Sequence, residues 1–123
     1  LLPQIYRYLP TFHRLLDEQA KGNDLVLRGA AAVLFIHTPP EVRFGKADAN
    51  LAYENGSLMA ESLGIAQFYT GFVCSAVEQD RKGKFDALLG LKGRKIQAGM
   101  ALGVPAFRFS NYIDKKPLEA TWL

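Results

Sequence analysis

Apolar residues in this chain gather in blocks, and their spacing changes from one block to the next. In residues 4–20, Ile5, Leu9, Phe12, Leu15 and Leu16 fall near helical spacing, interrupted by Pro10. Proline removes a helical hydrogen bond and crowds the preceding turn. The pattern therefore predicts a helix from about Thr11 to Ala20, with Thr11 as N-cap and KGND closing it. GAAAVLFIHTPP, residues 29–40, is a continuous apolar run with a turn at each end, and predicts a strand buried on both faces. KADANLAYENGSLMAESLG, residues 46–64, predicts a long helix capped by Asp48, with Leu51, Leu58, Met59, Ser62 and Leu63 at three- and four-residue steps. Gly64 stands where a left-handed C-terminal residue belongs. Gly56, in mid-helix, costs about 1 kcal/mol of propensity relative to alanine, which points to a close approach by another element.

SLGIAQFYTGF, residues 62–72, leaves that helix through Gly64 and predicts a strand from Ala66 to Val73. A second glycine, Gly71, interrupts it, although a plain core strand has no need of one. VEQDRKGKFDALLGLKGRK then predicts a charged turn and a short helix around Phe85 to Leu89, ended by Gly90. KIQAGMALGVPAF is a further strand, with Ile96, Ala98, Met100 and Leu102 on alternate positions. RFSNYIDKKPLEATWL has neither glycine nor helical period and reads as an extended arm. The order strand, long helix, strand, short helix, strand, arm belongs to α+β or α/β layers.

Composition narrows the function classes. A chain of 123 residues makes one domain, 1–123, and 49% hydrophobic with 22% charged residues is the balance of a folded protein. No run approaches ~18 apolar residues, so no membrane partner is expected. The net charge of +3 is small, and aromatics do not interleave with the cations. A nucleic-acid partner is therefore not expected either. The single Cys74 excludes a disulfide framework and a multi-cysteine metal or iron–sulfur site built from this chain alone, and a reducing, cytoplasmic setting follows. His37 closes its strand without a nucleophile signature and reads as a strand-end residue, and His13 gives a weaker signal still. The chain opens directly on LLPQIYRYLPTFHRLL and is read as a piece of a longer protein.

Taken in order, GAAAVLFIH, DANLAYENGSLMAESLGIAQFYTGF, LLGLKGRKIQAGMALGVPAFRF and DKKPLEATWL resemble the C-terminal portion of the FMN-dependent nitroreductase family, from about residue 24 to the C-terminus. LGVPAFRF, DKKP and Trp122 are similar to the ending LGYPKYKF, RKP and terminal tryptophan of members with an N-terminal ferredoxin-like iron–sulfur segment. Val104 replaces the usual tyrosine, and Lys115 stands where arginine is common, which weakens a bidentate phosphate contact.

The resemblance implies an α+β fold, a mixed or antiparallel sheet flanked by helices, in a homodimer that exchanges its C-terminal arm. It implies FMN as cofactor, NAD(P)H or ferredoxin as electron donor, and nitro groups, quinones or related small molecules as acceptors. Phe68, Tyr69, Thr70 and Gly71 would run past the flavin ring, with Gly71 admitting the ring to the main chain and an N–H of Thr70 or Gly71 donating toward N5 or O4. Lys115 and Lys116 would pair with the phosphate. Tyr69 and Thr70 are the side chains placed to donate a proton near the flavin. The family's arginine–serine-rich phosphate-binding segment, and any ferredoxin-type clusters, would belong to a preceding part, and the chain alone is expected to bind FMN weakly. A non-catalytic flavin-binding or dimerisation module of the same fold is the alternative. Taken singly, Gly71 reads as a strand bend, the aromatics as core and the lysines as solvated surface.

Overall fold

A computed structural model of the chain describes residues 2–91, 93–107, 110, 113–117, 119 and 121, with the side chains of residues 2–5 left aside. Its elements are α1 (Leu2–Ala20), β1 (Ala32–Thr38), α2 (Gly45–Ser62), β2 (Ala66–Tyr69), α3 (Gly71–Gln79), α4 (Lys84–Leu89) and β3 (Lys95–Gly103). The three strands form one antiparallel sheet in the order β1-β3-β2, so the α+β expectation holds. No described helix is long and apolar enough to cross a membrane.

Strand order reverses the burial expected of β1 and β3. The apolar run of β1 is an edge strand, with Leu34 46% exposed, not the doubly buried strand its composition suggested. The centre belongs to β3, where every residue from Ile96 to Ala101 is buried. Alternation along β3 gives way to burial on both faces because Ala98, Gly99 and Ala101 are small enough for other elements to close in from either side.

One face of β3 receives α2. Gly45, Ala49, Gly56 and Ala60 lie at helical spacing along α2, and Gly45, Ala49 and Ala60 are buried. A Cβ on Gly56 would stand 3.2 Å from Met100 Cε, so that glycine answers a methionine side chain from the sheet. The larger residues Leu51, Leu58, Met59 and Leu63 face outward, each more than 60% exposed. Helix α2 begins at Gly45, before the expected start. Its N-cap is Phe44, without a side-chain bond, and Asp48 lies in the first turn. The early start fits Thr38, whose Oγ1 stands 2.6 Å from where a Cβ on Gly45 would be. The far end matches expectation: Gly64 is left-handed at φ 70°, its N–H donates to Glu61 O at 3.0 Å, and Ile65 N–H donates to Ala60 O at 2.9 Å. This is the Schellman arrangement that satisfies the last carbonyls of a helix.

Two further expectations are corrected. Helix α1 runs through Pro10 from Leu2, so Thr11 is interior and not a cap; the ring removes one backbone bond but leaves the turns on either side to hold their own. Strand β2 stops at Tyr69, and the segment expected to extend to Val73 coils into α3. Helix α4 and the left-handed Gly90 (φ 65°) follow the sequence closely. Of the arm, residues 113–117 are irregular and exposed; Trp122 lies outside the described residues.

Candidate functional site

The strand-to-helix corner at residues 68–73 is built by one threonine. Thr70 N–H donates to Gly99 O at 2.9 Å, a bond from the end of β2 into the central strand, and Thr70 O accepts from Cys74 N–H at 3.0 Å to open α3. Its side chain is buried, 3% exposed, with Oγ1 4.0 Å from Cys74 Sγ. Because the hydroxyl turns inward, it does not cap α3. The amides of Gly71, Phe72 and Val73 are the first of the helix and have no backbone acceptor among the described residues.

Register sends the neighbouring aromatics to opposite faces. Phe68 pairs with Ala101 and Tyr69 with Met100. Tyr69 therefore lies on the α2 side, edge-on to Tyr53 at 4.9 Å between ring centroids. Tyr53 is fixed in turn: its hydroxyl donates to Gln67 Oε1 at 2.6 Å, and Gln67 Nε2 donates to Ser57 Oγ at 2.7 Å. Burial and then the neighbouring Cys74 push the Tyr69 phenol above its ordinary value, against the opposing pull of Lys46. Tyr69 is accordingly a protonated phenol at neutral pH. Lys46 itself is held by Glu78 at 3.0 Å across α2 and α3.

On the other face Phe68 meets Arg28, whose Cζ lies 5.7 Å from the ring centroid. Residues 68–73, Leu25, Val26 and Arg28 line a cleft of about 250 Å³. A second, largely apolar cleft of about 680 Å³ lies between α1 and α3, lined by Tyr8, Phe12, Ser75, Ala76 and Gln79, and it shares Gly71 and Phe72 with the first. The four sequence-predicted residues Phe68, Tyr69, Thr70 and Gly71 thus come together at one concave corner. Of the two amides expected to face a flavin, that of Thr70 is already committed to Gly99, which leaves Gly71. Lys115 and Lys116 are exposed and line neither cleft, and neither has an ion pair among the described residues.

Sequence reasoning missed Arg28. It is the one described non-glycine residue with positive φ, at 55°. Asp24 organises the loop before it. Asp24 Oδ1 accepts from the N–H groups of Val26 and Leu27 at 2.9 and 2.8 Å, and Oδ2 from Gly29 at 3.4 Å. These bonds, Leu27 foremost, hold the Asp24 carboxyl below its ordinary value of 3.8. A carboxyl whose folded value is depressed stabilises the loop above the unfolded value and loses that contribution as pH falls through the lower, folded one. In an acid titration followed by NMR, the Leu27 amide resonance is expected to shift with a midpoint below 3.8; a midpoint above it would contradict the clamp.

Comparison with known proteins bears on the fold and the family. No curated protein matches the chain. Among solved structures, a nitroreductase with bound FMN from Bacteroides fragilis NCTC 9343 is similar in fold, with a TM-score of 0.59 and 22% identity. The match covers 83% of this chain and 56% of that one, so this chain spans little more than half the length of that protein. The sequence model of the Nitroreductase family matches residues 4–104. That span takes in α1, which the recognised motifs did not, and stops before the C-terminal arm. On that match over most of its length, the chain belongs to the nitroreductase family.

Proposed function

We propose that the chain is the flavin-binding C-terminal part of an FMN-dependent oxidoreductase that passes electrons to nitro, quinone or related acceptors. Family membership over residues 4–104, together with the concave corner at Gly71, is the observation that carries this reading. The residues present fit a flavin: the unbonded amides at the start of α3 supply donors, and Gly71 leaves the main chain bare where the two clefts meet. When bound, FMN supplies hydride transfer through N5. The protein's part is to hold and orient: the Gly71 amide would donate to the ring system, Phe68 would wall the cleft, and Lys115 and Lys116 would serve the phosphate. Of the two proposed proton donors, the Thr70 hydroxyl is buried and turned inward, and the Tyr69 phenol is the more exposed, on the α2 side of the strand.

The remaining assignments belong to the same proposal. The exposed apolar residues Leu51, Leu58 and Met59 on α2, with Leu63 at its C-cap, support a homodimer. Exchange of the C-terminal arm, NAD(P)H or ferredoxin as donor and a preceding ferredoxin-like segment rest on the resemblance, and a cytoplasmic setting on the single Cys74. The test is spectroscopic. Excess FMN added to the purified chain is expected to show a perturbed oxidised-flavin band that bleaches with NADH, NADPH or reduced ferredoxin and returns on adding a nitroaromatic. Perturbation without bleaching by any donor would favour the non-catalytic module; no perturbation would refute both.

A further inference from the structure

We propose that Arg28 is an anion-selecting residue, taking the carboxylate of a small planar ligand that enters the corner cleft beside Phe68. The guanidinium lies 5.7 Å from the Phe68 centroid, within cation–π range. A cation–π contact of this kind uses no guanidinium N–H as a hydrogen-bond donor to an acceptor atom, and these can bind a carboxylate in bidentate fashion. Arg28 lines both the 250 Å³ cleft and a neighbouring one of about 780 Å³ that also holds Arg14, Glu18 and Asp24.

The carboxylates in this region are engaged elsewhere than with the two guanidinium groups. Glu18 is committed to Lys21 at 2.7 Å and to Asn23 at 2.8 Å, and Asp24 to the backbone amides of its own loop. Neither Arg14 nor Arg28 has a carboxylate within ion-pair distance among the described residues. Two guanidinium groups without a direct ion pair among the described residues therefore line the larger cleft, and Arg28 lines the smaller one as well. The backbone is consistent with a placed residue: Arg28 sits left-handed at φ 55° in a loop over-determined by the Asp24 bonds. Non-glycine residues held in this region cluster at ligand sites. A ligand in the smaller cleft would lie against residues 68–73, so under the oxidoreductase reading, on which the role but not the binding depends, Arg28 selects acidic acceptors.

The probes are 4-nitrobenzoate and its uncharged methyl ester, titrated into the full chain with and without FMN and followed by NMR at residues 68–73. The carboxylate is expected to bind about tenfold more tightly than the ester, the scale of a charge-assisted hydrogen bond. Arg28→Asn removes the charge while suiting the left-handed backbone. It should bring the ratio near one, as should Arg28→Gly if the asparagine variant fails to fold. Arg28→Lys should be intermediate. Equal binding of the two probes by the unmodified chain, or an unchanged ratio in Arg28→Asn, would overturn the assignment. So would loss of FMN binding in that variant with riboflavin binding retained, because Arg28 would then serve the cofactor's phosphate. A carboxylate preference in a chain that takes up no FMN would retire the oxidoreductase reading and leave this assignment standing.

Discussion

Replacing Gly99 by valine is expected to destabilise the chain by about 3 kcal/mol or more, above the usual range for overpacking a core by one or two methylenes. A Cβ at this position would fall on Thr70 Oγ1 and within 2.9 Å of Phe35 Cδ1. Neither neighbour can step aside cheaply. Phe35 is the cross-strand partner of Gly99 in β1, and Thr70 is pinned through its own N–H to Gly99 O. The thermal midpoint should fall by roughly ten degrees for a chain of this size. A double-mutant cycle separates the two collisions. Gly99→Ala alone should cost about 1–3 kcal/mol, and adding Thr70→Ala should recover part of that loss by removing the hydroxyl, with Phe35 accounting for the rest. Gly99→Ala at unchanged stability, or strict additivity with Thr70→Ala, would show that Thr70 does not pack against Gly99 as described.

The same corner shows what could be read from the sequence and what could not. Helix α2 and its Gly64 terminus were legible because the Schellman signal is local, spanning a handful of consecutive residues. Gly90 was legible for the same reason. The roles of β1 and β3 were not, since the more apolar segment would be placed at the centre of a sheet on composition alone. Smallness decided otherwise: Ala98, Gly99 and Ala101 admit neighbours on both faces of β3, and that depends on which elements arrive there. Helix α3 was missed because FVC looks like strand, and because Thr70, where the chain leaves the sheet, gives α3 no side-chain cap. For the site, QFYTG identified the corner, but the inward turn of Thr70, and which of Phe68 and Tyr69 faces α2, follow from register with β3. Arg28 carried no sequence signal, because its importance lies in a backbone angle and a cation–π partner forty residues away.

Gly71 gives the opposite expectation from Gly99, and the contrast separates structural from functional glycine. A Cβ on Gly71 would meet only the ring of Tyr69, at 3.6 and 3.9 Å, which is ordinary contact, and its φ is not positive. The fold therefore does not demand glycine there. Because Gly71 opens α3, alanine should leave stability unchanged or raise it by up to about 1 kcal/mol through the lower entropy of the unfolded chain. Valine, at a half-buried helix start with no special backbone angle, should change stability by no more than about 1 kcal/mol. If a flat flavin lies on this stretch of main chain, those added methyl groups occupy its place. FMN affinity of Gly71→Val is then expected to fall by at least about tenfold, some 1.4 kcal/mol, with Gly71→Ala between the two. Thermal melts in the absence of FMN and flavin titrations on the same preparations would measure both quantities. Equal FMN affinity in all three proteins would move the ring away from Gly71. A large loss of stability in Gly71→Ala would instead mean that the glycine serves the turn itself.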